Sequence, residues 1–106
     1  MSEIALKNDS GKIDWSLLPI EAMEEMLKVF MFGEQKYARF NFRNGFNSNR
    51  LIAAAMRHIA AWQKGEDTDP ETGLSHLAHG LCCLSMLLTN KIENKMEDGR
   101  YKYAGT

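Results

Sequence analysis

The chain has 106 residues, of which 44% are hydrophobic and 25% are charged, a composition suited to one globular domain with one core. Its net charge of −1 and its isoelectric point near 6.3 give no indication of binding to nucleic acid or to an anionic membrane. No apolar run reaches the about 20 residues that span a bilayer, and the N-terminus lacks a secretory signal pattern. We therefore expect a cytoplasmic protein that binds neither membranes nor nucleic acid.

A single all-α domain is predicted over residues 1–106, because the chain has two prolines and few β-branched residues. Within it, residues 1–13 are expected to form a loosely ordered N-terminus and residues 97–106 a polar tail. Cys82 and Cys83 are adjacent in an apolar helical stretch, where neighbouring side chains point in different directions. They are predicted to be buried, unpaired thiols and not a disulfide or a nucleophile.

The first predicted helix covers residues 19–37 and starts at Pro19, which suits the first position of a helix. Its apolar residues repeat at intervals of three and four, as on one face of a helix. We call residues 38–48 the aromatic loop, because the segment lacks helical periodicity and contains Phe40, Phe42 and Phe46. These rings are expected to hold the loop against the body of the domain.

Two further helices are predicted over residues 49–64 and 74–96. Gly65 closes the first of them, and residues 66–73, which we call the acidic loop, lead into the next. The third helix is apolar on two sides, so it should pack on both. One of these sides consists of Leu74, Leu77, Leu81, Leu84, Leu88 and Ile92. Three helices of this length make a thin core, and we expect a homo-oligomer to complete it.

The acidic loop and the start of the third helix contain the densest group of candidate metal ligands. Glu66, Asp69 and Glu71 precede His76 and His79, which are spaced i, i+3 on one helix face. Zinc-finger, HExxH and EF-hand patterns are absent from the sequence, and the oxygen-rich set favours Mg²⁺ or Mn²⁺. The alternative is a solvated acidic loop followed by two histidines that hydrogen-bond to neighbouring carbonyl or carboxylate groups.

Basic residues elsewhere in the chain are candidates for phosphate or base contacts. Lys36, Asn41 and Arg43 lie in or beside the aromatic loop. Arg57 is surrounded on its helix by alanines, which leave room for a ligand beside the guanidinium or for a partner helix. Two interpretations of His58 stay open at this point, a third imidazole of the site or a core histidine.

Four motifs follow one another in the chain, D-W-S-L-L-P, F-G-E-Q-K-Y, N-F-R-N-G and R-H-I-A-A-W-Q-K-G-E-D-T-D-P-E-T-G-L-S-H-L-A-H. Their order resembles the dATP/dGTP diphosphohydrolase N-terminal domain family of phages and bacteria, itself similar to the all-α MazG-like nucleotide pyrophosphohydrolases. The resemblance covers about residues 14–90 and is most specific over residues 65–79. MazG-like proteins usually carry E-x-x-D where this chain has His76 and His79, so their standard metal ligands do not transfer.

The resemblance implies a metal-dependent hydrolase that cleaves a purine deoxynucleoside triphosphate, dGTP or dATP, to monophosphate and pyrophosphate. It would use Mg²⁺ or Mn²⁺ and, if phage-encoded, act in the host cytoplasm. The predicted site residues are Glu66, Asp69, Glu71, His76 and His79 for the metal; His58 and Glu66 for proton transfer; and Lys36, Tyr37, Asn41, Arg43, Arg57 and Trp62 for the substrate. The alternative is a non-catalytic helical protein that binds a partner or senses nucleotides.

Overall fold

The computed structural model describes residues 4–105 and contains helices but no strand in that range. The three α-helices are α1 (Ile20–Lys36), α2 (Ser48–Gln63) and α3 (His76–Ile92), and short 3-10 helices cover Trp15–Leu17 and Asn41–Asn44. The prediction of a small all-α bundle is confirmed. No helix among these residues is long and apolar enough to cross a membrane. Of the predicted loosely ordered N-terminus, residues 1–3 lie outside the described range.

The helix boundaries follow the predicted ones except in α3. α1 and α2 begin and end within one residue of the predicted positions, whereas α3, predicted over residues 74–96, runs only from His76 to Ile92. The Ser75 side chain accepts hydrogen bonds from the first backbone N–H groups of α3 and so starts the helix there. Asn94 has a φ of 57°, a left-handed conformation that ends helices.

α3 is the central helix and packs against α1 on one side and α2 on another. α2 and α3 are antiparallel, because His58 near the end of α2 contacts His76 at the start of α3. At the other end of the pair, Phe46, just before α2, contacts Asn90 near the end of α3. The core between α1 and α3 is built from Val29, Ala78 and Cys82, with Met26, Phe30, Leu74 and Met86 packed around them.

Asn90 holds the aromatic loop on α3. Its side chain is fully buried; its Oδ1 accepts from the Phe46 N–H at 3.1 Å and its Nδ2 donates to the Phe42 carbonyl at 2.8 Å. The Phe42 ring packs on Phe30 with centroids 5.0 Å apart, as expected for a loop held by its rings. Phe40, by contrast, is 58% exposed. The buried Asn90 amide therefore supplies part of the anchorage that was expected from the aromatic rings.

The predicted polar tail is fixed to the domain at its beginning. The backbone N–H of Ser48 donates to the Glu97 carbonyl at 2.8 Å, and the Gly99 N–H donates to the Ser48 Oγ at 2.9 Å. These bonds tie residues 97–99 to the start of α2. Tyr101 and Tyr103, farther along, are 76% and 70% exposed.

Gly45 is a position where we expect only glycine to be tolerated. Its φ is 100°, and a Cβ there would collide with the carbonyl oxygen of Lys95. Gly45→Ala should therefore lower the free energy of unfolding by at least about 2 kcal/mol. Gly33→Ala is the matched control, since Gly33 is helical with no atom near an added Cβ, and should stabilise α1 by about 0.5–1 kcal/mol. Urea unfolding followed by circular dichroism measures both; equal shifts would contradict this account.

Candidate functional site

Three histidines from two helices converge at one end of the bundle. The His58 Nδ1 of α2 lies 2.8 Å from the His76 Nδ1 of α3, and the His58 ring stacks on His79 with centroids 4.4 Å apart and planes 7° apart. We call these three residues the histidine cluster. The structure places the His58 imidazole against the other two.

The acidic loop folds back over the start of α3 and carries Asp69 to the cluster. The His76 N–H donates to the Asp67 carbonyl at 3.0 Å, and the Asp69 N–H donates to the Leu74 carbonyl at 2.8 Å. Gly65 and Gly73, at φ values of 100° and 71°, allow the chain to reverse at both ends of the loop. This local folding sets a carboxylate beside imidazoles that belong to two different helices.

Asp69 is held by its own loop with one oxygen turned to the cluster. Its Oδ1 accepts from the backbone N–H of Glu71 at 2.7 Å and of Thr72 at 3.2 Å, while its Oδ2 lies 3.9 Å from the His58 Nδ1. Partial burial opposes ionisation, but these hydrogen bonds and the neighbouring imidazoles outweigh it and lower the pKa of Asp69. The carboxylate is therefore charged at neutral pH.

His58, Asp69 and His76 form a group of potential metal donors. One donor atom from each of the three side chains lies within 4.8 Å of the others. The His76 side chain is 5% exposed, and those of His58 and Asp69 are 18% and 17% exposed, so the group is sheltered but open to solvent on one side. Two imidazole nitrogens and a carboxylate oxygen are ligands of divalent metals.

Two side chains outside the donor group orient the imidazoles. The His76 Nε2 donates to the Glu66 Oε1 at 2.6 Å, which puts the proton on Nε2 and leaves the Nδ1 lone pair facing His58. The His79 Nε2 is 2.8 Å from the Thr72 Oγ1. Sequence reasoning missed Thr72, because only the conformation of the acidic loop brings it to His79.

Burial keeps two of the imidazoles neutral. Desolvation is the largest cause that lowers the pKa of His58, and the neighbouring His79 and His76 lower it further. Desolvation likewise lowers the pKa of His79, although Asp69 opposes the shift. Neutral imidazoles have a free lone pair and can bind a metal without first losing a proton.

Three of the predicted metal ligands, Glu66, Glu71 and His79, lie outside the donor group. Glu71 is paired with Lys36 at 3.1 Å, and its side chain is 71% exposed. The pair joins the acidic loop to the end of α1. His79 contributes its ring to the stack on His58.

A cavity of about 870 Å³ lies between α1, the aromatic loop and α3. Lys36, Tyr37, Asn41 and Arg43 all line it, as do several aromatic rings and two arginines that sequence reasoning did not single out, Arg39 and Arg50. Arg43 pairs with Glu93 at 2.8 Å, at the far end of α3 from the cluster. The other two predicted substrate residues lie elsewhere: Arg57 lines a shallow hollow with Glu66, and Trp62 is 40% exposed on α2.

The cysteines are free and buried, as predicted. Desolvation raises the pKa of Cys82 to about 12, with a further contribution from Cys83. A thiol of that pKa is almost entirely protonated at neutral pH, which agrees with the expectation that neither cysteine is a nucleophile.

The fold and the site together define a small all-α domain with a histidine and carboxylate cluster at one end of its central helix. The chain matches the family described as dATP/dGTP diphosphohydrolase, N-terminal, over residues 2–100. It belongs to that family, which confirms the resemblance found in its motifs.

A dATP/dGTP diphosphohydrolase of Salmonella phage PMBT28 is 42% identical to the chain over an alignment of 89 residues that covers 81% of this chain and 30% of the relative. The chain thus spans less than a third of the length of that relative. No solved structure matches the chain. The similarity to MazG-like enzymes stays a prediction.

Proposed function

We propose that this domain hydrolyses a purine deoxynucleoside triphosphate, dGTP or dATP, to the monophosphate and pyrophosphate with the help of a divalent metal ion. The observation that carries the proposal is the sheltered group of His58, Asp69 and His76 in a chain of the diphosphohydrolase family. The activity named for the phage relative supports the same reaction. Such a reaction draws on the cytoplasmic nucleotide pool.

The metal would be held by His58, Asp69 and His76. The sequence leads us to expect Mg²⁺ or Mn²⁺. When bound, the cation supplies positive charge that stabilises the phosphates as the bond breaks. We assign proton transfer to Glu66, because its Oε1 contacts His76 and its side chain is 53% exposed, within reach of an attacking water. His58 then serves the metal, since its Nδ1 faces the other donors.

We infer that the nucleotide lies along the path from the cavity to the cluster. Lys36 links the cavity to the histidine cluster, because it lines the cavity and pairs with Glu71 of the acidic loop. The rings of Phe30 and Phe42 in the cavity offer flat apolar surface to a base. Lys36 and, from the other side, Arg57 would then stabilise charge on the triphosphate.

The test is the release of pyrophosphate from dGTP and dATP in Mg²⁺ or Mn²⁺. Asp69→Asn should reduce the rate by about 100-fold or more, because the donor loses its charge. Asp67→Asn is the matched control, since Asp67 is exposed and lies outside the donor group, and its rate should change little. A folded protein that releases no pyrophosphate from any deoxynucleotide would refute the proposal.

The second candidate is a nucleotide-sensing module without catalysis. The observation in its favour is that the chain corresponds to 30% of the phage relative, so catalytic groups of that protein can lie in its remaining length. Calorimetric titration with dGTP and metal separates the two functions. Binding without pyrophosphate release selects the sensor, and binding with release selects the enzyme.

A further inference from the structure

The donor group has a chemical preference that the oxygen-rich acidic loop does not suggest. Two of its three donors are imidazole nitrogens, from His58 and His76, and Asp69 supplies the third. Mg²⁺ binds oxygen ligands and keeps much of its water, whereas imidazole suits first-row transition ions. Glu66, Asp67 and Glu71 could have formed an oxygen site, but the fold directs none of these carboxylates into the donor group.

The surroundings of His76 match those of a metal-binding imidazole. Metal-ligating histidines commonly donate the other ring N–H to a carboxylate, which orients the ring and raises its basicity. His76 does this toward Glu66 at 2.6 Å, and its Nδ1 points to the His58 Nδ1 at 2.8 Å. With the His76 proton on Nε2, the hydrogen bond between the two Nδ1 atoms is donated by His58. A cation that replaced this hydrogen bond would find both Nδ1 lone pairs free once the His58 proton had moved to Nε2.

We infer that the donor group is a transition-metal centre in which His58, Asp69 and His76 bind Mn²⁺, Fe²⁺, Co²⁺ or Zn²⁺ in preference to Mg²⁺. Three protein donors leave coordination positions open, as in catalytic zinc sites and unlike closed structural ones. The inference deepens the proposed function by naming the class of ion, and it rests on that function only for the role of the ion.

Titration of the metal-free protein with Co²⁺, followed by its visible d–d absorption, tests the inference without an activity assay. We expect one ion per chain and no displacement by a large excess of Mg²⁺. His58→Ala should weaken Co²⁺ binding by at least about 100-fold. Glu71→Gln is the matched control, because the Glu71 side chain pairs with Lys36 and is not part of the donor group, and this variant should bind Co²⁺ as the unmodified protein does.

Glu66→Gln provides a second variant if His58→Ala does not fold, and should weaken Co²⁺ binding by about 10- to 100-fold. The inference is overturned if the folded protein takes up no Co²⁺, if a large excess of Mg²⁺ displaces the Co²⁺, or if the histidine variant binds Co²⁺ as tightly as the unmodified protein. Pyrophosphate release supported by Mg²⁺ without Co²⁺ uptake would overturn the inference and leave the function. Co²⁺ uptake without pyrophosphate release would support the inference and contradict the proposed function.

A separate observation concerns an uncovered apolar face. On α3 the leucines 77, 81, 84 and 88 are 47%, 38%, 46% and 61% exposed, and they are spaced four, three and four residues apart, as in a coiled-coil seam. On α2, Ile52, Met56 and Ile59 are 42%, 61% and 42% exposed. We call these seven residues the apolar face.

Both halves of the apolar face lie on the same side of the molecule. On each helix the centre of this set of residues is about 90–120° around the helix axis from the contact shared by α2 and α3. Because α2 and α3 run in opposite directions, the same angle around each helix axis brings the apolar residues of both helices to one side of the pair. That side is away from α1, whose contact on α3 is formed by Ala78 and Cys82.

The apolar face is suited to a copy of itself. Residues 77–90 of α3 contain no Asp, Glu, Lys or Arg, so two identical faces can meet without repulsion between like charges. Two helices side by side present a surface about 25 Å long and about 20 Å wide. Roughly 500 Å² from each copy reaches the ~1,000 Å² in total that a specific interface requires.

The single chain also has a small core. Within residues 4–105 only six hydrophobic residues are buried, which is a small core for a domain of about 100 residues. We propose that a second copy of this chain packs its α2 and α3 against the apolar face, so that four helices share one core around a two-fold axis.

Sedimentation of the purified chain tests this proposal, and a species of twice the chain mass of 12.1 kDa is expected. Leu84→Asp, at the middle of the seam, should weaken association by at least about 100-fold. Ile20→Asp is the control, because Ile20 is 58% exposed on α1, and should leave the dimer intact. Leu88→Glu, at a more exposed position, replaces Leu84→Asp if that variant does not fold.

The proposal of a second copy is overturned if the unmodified chain sediments as a monomer, which would assign the apolar face to another partner such as the remainder of a longer protein. A folded Leu84→Asp variant that stays dimeric would overturn it as well.

Discussion

Replacing His76 by alanine is expected to reduce metal-dependent pyrophosphate release by at least about 100-fold. His76 is the centre of the site: its Nδ1 faces His58, its Nε2 donates to Glu66, and it is 4% exposed. Alanine removes a donor and leaves Glu66 without its partner. Because the site is buried, the free energy of unfolding should also fall by about 1–3 kcal/mol. Steady-state rates and urea unfolding measure the two effects.

His79→Ala is the comparison for this prediction. His79 lies on the same helix face and stacks on His58, but it is not part of the donor group. Its loss should change metal-dependent activity by about tenfold, the effect of a residue that supports a ligand. If His79→Ala were the more damaging of the two substitutions, the assignment of the donors would be wrong.

Asn90→Ala should be among the most destabilising single substitutions, lowering the free energy of unfolding by about 2–4 kcal/mol. It deletes both hydrogen bonds to the backbone of the aromatic loop, at Phe42 and Phe46. The partly buried Phe46 N–H loses its partner, and the Phe42 carbonyl keeps only the Gly45 N–H at 3.3 Å. The released loop forms one wall of the cavity, so the Michaelis constant for nucleotide should rise as well. Thermal and urea unfolding give the first effect, and kinetics the second.

Asn44→Ala is the matched control for Asn90→Ala. Asn44 is exposed at the end of the short helix in the aromatic loop, and its replacement should change the stability by less than about 0.5 kcal/mol. A similar loss of stability in both variants would show that the buried amide does not anchor the loop.

The helices were predictable because their signals are local. Apolar residues at intervals of three and four, Pro19 at the beginning of α1 and Gly65 at the end of α2 lie within one or two turns of the structure that they determine. The end of α3 was predicted four residues too late, because residues 93–96 carry no strong stop signal. There the left-handed Asn94 and the hydrogen bond from the Lys95 N–H to the Asn90 carbonyl at 2.8 Å end the helix.

The candidate site was predictable only in part. The spacing of His76 and His79 on one helix face was visible in the sequence, and so was the wealth of carboxylates in the acidic loop. Which carboxylate faces the imidazoles was not, because a reversal of the loop turns Asp69 inward and leaves Glu71 with Lys36. That the donor group contains two imidazoles and one carboxylate therefore emerged only with the fold.

By itself the sequence determined the all-α class, the approximate helices and the family, since periodicity, turn residues and motifs are short-range properties of the chain. Only the tertiary structure decided that His58 meets His76, eighteen residues away, and that Asn90 binds the carbonyl of Phe42, forty-eight residues away. Contacts of this kind depend on how antiparallel helices align and on which buried polar groups must be paired. Neither the alignment of the helices nor the pairing of the buried polar groups can be read from the neighbouring residues in the chain.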